Sequence, residues 1–323
     1  MPDQQLALPN YPAVRLLRLN WLCVVTDGYW EIRRMTNTTR AKWASMTVDE
    51  MEWHFNPRHA VSDSERYGEA RLERNRIALA QRHADIRYGD QWMQDLDIYP
   101  VASGGDLAPV HVFIHGGYWR SRVKEDFAFV GPELNRHGVL AVVINYPLCP
   151  VVTLDVVVAS ARLAVDWVRR EIRTYGGDPE RISLSGHSSG AHLGAAILAQ
   201  DSAAEESAAC NLRGAVLISG IYDPAPAQRI SVNAELNLNE SLCNRHDYLS
   251  VPRVMTCPLK VIVGADEPAG WIEQSLSYAE HAALADKPVD CLLSAGDNHF
   301  SILDQYFLAD SDIMSSVLKQ VTG

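Results

Sequence analysis

The sequence is short of several things that would mark out a function class. Its cysteines, Cys23, Cys149, Cys210, Cys243, Cys257 and Cys291, are scattered, and no two form a C-x-x-C pair. That spacing indicates neither a disulfide framework nor a zinc site, and a reducing cytoplasm is the expected compartment. No other residue set has metal-ligand spacing, so neither a metal nor a cofactor is expected. Basic residues are in deficit: 29 Lys and Arg stand against 40 Asp and Glu, a formal net charge of −11. A phosphate backbone or an anionic lipid surface would be repelled, which argues against nucleic acid and membrane as partners. No apolar run reaches the roughly 18 residues of a membrane span. "AVRLLRLNWLCVV" looks somewhat like a secretory core, but Arg15 and Arg18 interrupt it and no small-residue cleavage site comes after it. No internal repeat or low-complexity tract is visible.

What is present is a large apolar fraction, 47% of 323 residues, enough for the core of one large α/β domain. Residues 1–34 differ in texture from the rest of the chain. Met35 opens a polar segment with a helix-capping pattern from Thr47 to Glu50. Residues 1–34 are therefore expected to be an extension outside the domain, open to disorder, with an extra strand or helix on the domain surface as the alternative, and 35–323 a single domain. From about residue 95, short apolar runs alternate with helical patterns. "LDIYPV", "PVHVFIHGG", "VLAVVINYPLCP", "RISLSG", "RGAVLISG", "PLKVIVG" and "VDCLLSAG" read as strands. Leu154, Val157, Val158, Ala161, Val165, Val168 and Ile172 keep a helical period. Strands apolar throughout and alternating with helices predict a mostly parallel central sheet with helices on both faces.

The stretch 182–198, "ISLSGHSSGAHLGAAIL", places Ser188 between Gly186 and Gly190, after a strand and before a helix. This is the context that the G-x-S-x-G nucleophile motif requires. Side chains at 186 and 190 would collide with neighbouring backbone, and the helix N-terminus would face an oxyanion formed at the serine. The bland alternative is a glycine-rich turn with a capping serine. Upstream, "HGGYW" at 115–119 closes another strand. An H-G-G loop supplies the second oxyanion donor in esterases, so the candidate donors are the N–H groups of Gly116 or Gly117 and of Ser189. His115 and His187 are expected to be structural.

In a fold that orders its triad serine, acid, histidine, the base must come after Ser188. His192 falls on the nucleophile helix, His246 before the last acid-bearing strand, and His281 in a surface helical pattern. His299, in "AGDNHFSIL" between the last strand and last helix, is the candidate base. The acid stays open between Glu267 and Asp266 in "VIVGADEP" and Asp223 in "SGIYDP", with the position three residues past the strand's glycine favouring Glu267. Tyr118, Trp119, Tyr222, Trp271 and Phe300 stand beside the motifs as candidates for an aromatic pocket, with core packing as the alternative.

Together, "DIRYGDQWMQDLDIYP", "FIHGGYWRSRVKEDFAF", "SGHSSGAHLGA", "LRGAVLISGIYD", "VIVGADEPAGWIEQS" and "DNHFSIL" resemble the kynurenine formamidases (arylformamidases) of the α/β-hydrolase superfamily. The resemblance runs from about Met46 to the C-terminus. It implies an α/β-hydrolase fold with a small cap from loop insertions, and metal-free hydrolysis of N-formylkynurenine to kynurenine and formate. It implies a triad of Ser188, Glu267 and His299. Where many members follow the acid with a small residue and then P-E-F, this chain has "PAGW", so Pro268 and Trp271 alter that wall. "YGGDPERISLSG" also resembles the elbow approach of hormone-sensitive-lipase-like esterases, which keeps a carboxylesterase or aryl-amide or carbamate hydrolase as the alternative. The expected partner is a small aromatic amide or ester. A homodimer is the commonest assembly for such enzymes. A binding protein on a dead scaffold would have lost a triad member, and none is missing.

Overall fold

Strands that are apolar on both sides need cover on both sides, and the chain supplies it in alternating helices. The computed structural model describes residues 14–16, 42–101, 105–199, 212–250, 257–285 and 288–322. They contain strands β1 (Val14–Leu16), β2 (His83–Arg87), β3 (Asp95–Tyr99), β4 (Ala108–Ile114), β5 (Leu140–Ile144), β6 (Gly177–His187), β7 (Leu212–Ile218), β8 (Leu259–Gly264) and β9 (Val289–Ser294). The sheet order is β1-β9-β8-β7-β6-β4-β5-β3-β2. From β5 through β9 the strands are parallel, and β3, β2 and β1 add antiparallel edges. The architecture is an α/β-hydrolase sheet.

The main helices are α1 (Val48–Phe55), α2 (Glu65–Ala78), α3 (Leu154–Glu171), α4 (Ser189–Leu198), α5 (Ala269–Ala282) and α6 (Asp312–Thr322). Alternate residues of β4 go to opposite faces: Val110, Val112 and Ile114 join the core under α3, α4 and α5, while Phe113 joins the core under α6. The apolar period read along 154–172 lies buried, from Leu154 to Ile172. No helix among the described residues is long and apolar enough to cross a membrane.

The cap over the C-terminal ends of the strands comes largely from α2 and the turn before it, ahead of the first parallel strand. The capping box forms as its residues suggest: Thr47 Oγ1 accepts from Glu50 N at 3.3 Å, and Glu50 Oε2 accepts from Thr47 N at 2.7 Å. Of the segment 1–34 only Val14–Leu16 are described, and they do not stand apart from the domain. They pair antiparallel with β9, as an extra edge strand. The rest of that segment lies outside the described residues.

The order β6-β4-β5 makes β4 the point where the chain reverses its direction of travel across the sheet. Loops leaving β4 and β6 therefore diverge around a crevice at their C-terminal ends, where sheets of this type bind ligands. Parallel pairing sets Ile114 beside Gly186, so the loop "HGGYW" and the turn at Ser188 leave the sheet side by side.

One buried cation fixes the continuation of that loop. Lys124 is 2% exposed, and its Nζ meets Asp85 at 2.6 Å, Glu125 at 2.7 Å, Asp95 at 3.0 Å and Asp97 at 3.5 Å. These carboxylates outweigh the cost of burial and hold the ammonium charged, its pKa raised. The cluster ties β2 and β3 to the chain after "HGGYW". Removing one partner of such a group leaves uncompensated buried charge on the others. Lys124→Met is expected to lower stability by about 3–5 kcal/mol at pH 7, read as a shift in the urea midpoint; an unchanged midpoint would contradict the account.

Candidate active site

The turn at Ser188 is set by sterics before chemistry. Ser188 has φ 58° and ψ −123°, a left-handed conformation costly for a residue with a Cβ. A Cβ on Gly186 would lie 2.2 Å from the Gly190 carbonyl oxygen, and one on Gly190 would lie 2.1 Å from the Ile114 carbonyl oxygen. Both positions are closed to any side chain. The Ser188 N–H donates to Ile218 O at 2.9 Å, which anchors the strained residue to β7.

His299 reaches this turn from the loop after β9. Its Nδ1–H donates to Glu267 Oε2 at 2.6 Å, which leaves Nε2 to accept from the Ser188 hydroxyl at 3.0 Å. Glu267 Oε1 in turn accepts from Ser219 Oγ at 2.5 Å and from the Gly264 N–H at 2.9 Å. Ser188, Glu267 and His299 are all buried. The geometry thus brings Glu267 to His299, and neither alternative acid bonds to the imidazole. Asp266 is exposed, and Asp223 accepts from the N–H of Ala225 in its own turn at 2.9 Å.

The loop carrying His299 is held from several sides. His187 Nε2–H donates to the His299 carbonyl at 2.9 Å, and the Trp271 ring packs on the imidazole with centroids 4.3 Å apart. From the cap, Arg71 donates to Asp304 at 2.7 and 3.0 Å and to the Phe300 carbonyl at 2.8 Å. One helical turn away, Tyr67 accepts from Asn298 Nδ2 at 2.9 Å and stacks on Phe300. Helix α2 therefore grips the residues on both sides of His299.

Gly116 comes against the nucleophile: a Cβ there would sit 2.9 Å from Ser188 Cβ. Gly117, with φ +120°, starts a tight turn in which its carbonyl accepts from Arg120 and Ser121 N–H groups. Ser189 Oγ accepts from the Trp119 N–H at 3.3 Å, so the elbow and the loop are stitched together. Among the described residues no acceptor occupies the N–H of Gly117 or Ser189. His115 stays beneath the loop. Its Nδ1–H donates to the Gly116 carbonyl at 2.8 Å, its ring stacks on Tyr146, and burial pushes its pKa down to about 4. His192 likewise packs, its Nε2–H donating to the His246 carbonyl at 3.0 Å. Among the described residues no group of three or more His, Cys, Asp or Glu side chains could hold a metal.

A cavity of about 680 Å³ opens on Ser188 and His299. Tyr67, Tyr118, Phe127 and Phe300 supply its aromatic wall. Three of the aromatic residues expected there are elsewhere. Trp119 is fully buried with its ring edge-on to His192, Tyr222 stacks on Tyr278 at 3.9 Å, and Trp271 lies behind His299. They stand beside the motifs in sequence, but their side chains fall on the core side of the backbone. The residues missed are those of the cap, from Asn56 to Asn75, which carry no motif that points to the site.

Residues 96–224 match the BD-FAE family. The kynurenine formamidase of Salmo salar is 30% identical over 298 residues, covering 87% of this chain and 99% of its own. That of Danio rerio is 28% identical over 295 residues, covering 87% and 98%. A solved structure from Silicibacter sp. TM1040 superposes with a TM-score of 0.69 at 21% identity, over 81% of this chain and 94% of that one. The structural likeness speaks for the fold, and the sequence likeness extends over almost the whole of the relatives. The chain is a hydrolase and belongs to the kynurenine formamidase family of the α/β-hydrolase superfamily.

Proposed function

We propose that the protein hydrolyses an aryl formamide, with N-formylkynurenine as the first candidate, through a formyl-enzyme on Ser188. The observation that carries this reading is the unbroken hydrogen-bonded line from Ser188 through His299 to Glu267 at the floor of an aromatic-walled cavity. The full-length likeness to named kynurenine formamidases supports the substrate class.

In this reading His299 takes the hydroxyl proton as Ser188 attacks the formyl carbon. Glu267 holds the imidazole tautomer and offsets its charge. The oxyanion meets the N–H groups of Gly116 or Gly117 and of Ser189. His299 then passes its proton to the departing aryl amine, and water releases formate by the reverse steps. An aniline leaves more readily than an alkyl amine because the ring delocalises its lone pair. The same machinery would open an ester, and the fold neighbours include esterases, so ester hydrolysis is the second reading.

Three outcomes are expected. Ser188→Ala abolishes turnover without changing the melting temperature, and a phosphonate probe labels Ser188 alone. Glu267→Gln lowers kcat on the order of 10³- to 10⁴-fold, while Asp266→Asn lowers it little; the reverse ranking would unseat Glu267. N-formylkynurenine exceeds acetanilides and p-nitrophenyl butyrate in kcat/KM, and butyrate turned over as fast would shift the assignment to the esterase reading.

The grip of Arg71 generates a further expectation. Arg71→Ala frees the residues around His299 and should lower kcat about 10- to 100-fold, as small misplacements of catalytic groups do. KM should move less, and Arg71→Lys should recover part of the rate. An equal loss in melting temperature with kcat intact would reduce Arg71 to a packing role.

A further inference from the structure

The cavity wall carries a concentration of positive charge for which the hydrolytic step has no use. Arg58 enters it from the short helical turn Pro57–Ala60 in the cap, and Arg120 and Arg122 enter it from the loop just past Gly117. In a chain of net charge −11, these three guanidiniums, with Arg71 a fourth on the same wall, are a local exception. They are also close enough to oppose one another. Burial lowers the Arg58 pKa first, and the charges of Arg122 and Arg120 lower it further, with Glu65 as the counterweight.

Their protein partners are uneven. Arg120 is paired with Glu235, and Arg122 reaches Asp126 only at 3.8 Å. Arg58 makes no ion pair among the described residues. Glu65, Glu69 and Asp126 share the wall, so the site is mixed in charge rather than uniformly basic. Arg71, also on the wall, is engaged with Asp304 and Phe300 and has no fork to offer. The guanidiniums with capacity left are therefore Arg58, from the cap, and Arg122, from the loop after Gly117.

We propose that Arg58 and Arg122, with Arg120 beside them, bind a carboxylate on the leaving group of the substrate. The inference rests on the aryl-amide reading of the site and narrows it to substrates whose amine portion is anionic. A formyl group has no substituent of its own, so everything else on the substrate must occupy the cavity on the leaving-group side. The stacked pair Tyr67 and Phe300 offers a surface to the ring. A planar guanidinium matches a carboxylate through two parallel N–H donors, which a lysine ammonium cannot reproduce. An anion between the arginines would also relieve their mutual repulsion.

The test compares N-formylkynurenine with its carboxamide, identical except that the carboxylate is neutral. The wild-type enzyme is expected to favour the carboxylate in kcat/KM on the order of 10- to 100-fold, the range of a charge-assisted hydrogen bond. The R58A/R122A double variant should lose that preference through KM, with kcat nearly unchanged and the carboxamide unaffected. Circular dichroism checks that it folds. Arg58→Lys and Arg122→Lys should each retain part of the preference. Equal turnover of the two compounds by the wild type, or equal slowing of both by the double variant, overturns the subsite while leaving formamide cleavage standing. If neither formamide is cleaved, the functional reading falls, and calorimetry decides the subsite by itself. Kynurenine should then bind the Ser188→Ala protein more tightly than kynurenine carboxamide does, and equal affinities overturn the proposal.

Discussion

The close approach of Gly190 to the carbonyl of Ile114 is the constraint on which the site depends. A Cβ at 190 would stand 2.1 Å from that oxygen, so the first turn of α4 lies directly against the end of β4. Because β4 and β6 are parallel neighbours, this contact brings two loops from different parts of the chain to one point. The left-handed backbone at Ser188 is a consequence: the chain has no room to leave β6 by a wider curve. Local strain is accepted where the sheet over-determines the position. The loop at Gly116 and the first turn of α4 then both lie against Ser188.

The rest of the site is a problem of burying charge. Glu267 sits in a dry place, and an unpaired carboxylate there would be costly. It is met by three donors, from Ser219, Gly264 and His299. Those donors come from the ends of β7 and β8 and from the loop after β9, so the acid also records the order of the strands. His299 itself has a carbonyl fixed by His187, a ring face covered by Trp271, and flanking residues tied to α2 by Arg71 and Tyr67. The imidazole has little freedom apart from the proton it can carry.

Strands β3 to β9, the elbow, the H-G-G loop and His299 were legible because each leaves a local mark, while β2 was not read. Apolar runs mark strands covered on both faces, and paired glycines mark backbone contacts that no side chain allows. The choice among Glu267, Asp266 and Asp223 was less legible, since it depends on which way adjacent side chains point after a strand end. The pocket was least legible. Trp119, Tyr222 and Trp271 were adjacent to motifs, yet adjacency in sequence does not say which side of the loop a ring takes. Trp119 and Trp271 are instead the packing behind His192 and His299. Tyr67, Arg58 and Arg71 lie in a polar cap segment whose weak helical amphipathicity gives no hint that one side roofs a cavity. The position of the edge strand Val14–Leu16 was not legible, because a three-residue pairing depends on its partner β9 more than on its own composition.

This division between local and tertiary information matches a division of labour in the molecule. The stretch 96–224 holds the H-G-G loop and the elbow, and it is the part that matches the BD-FAE family. Glu267, His299 and the cap all lie outside it. A nucleophile and its oxyanion donors act on any acyl group that can reach them, so they do little to choose a substrate. Choice would fall to the walls, and most of the cavity wall comes from residues 56–75 and from residues 116–127. Those same cap residues bind the loop that bears His299. Helix α2 is thus connected both to the space that a leaving group would occupy and to the residue that would protonate it. A change in α2 that alters the fit of the substrate should therefore be felt in kcat as well as in KM, because recognition and the placement of His299 share one helix.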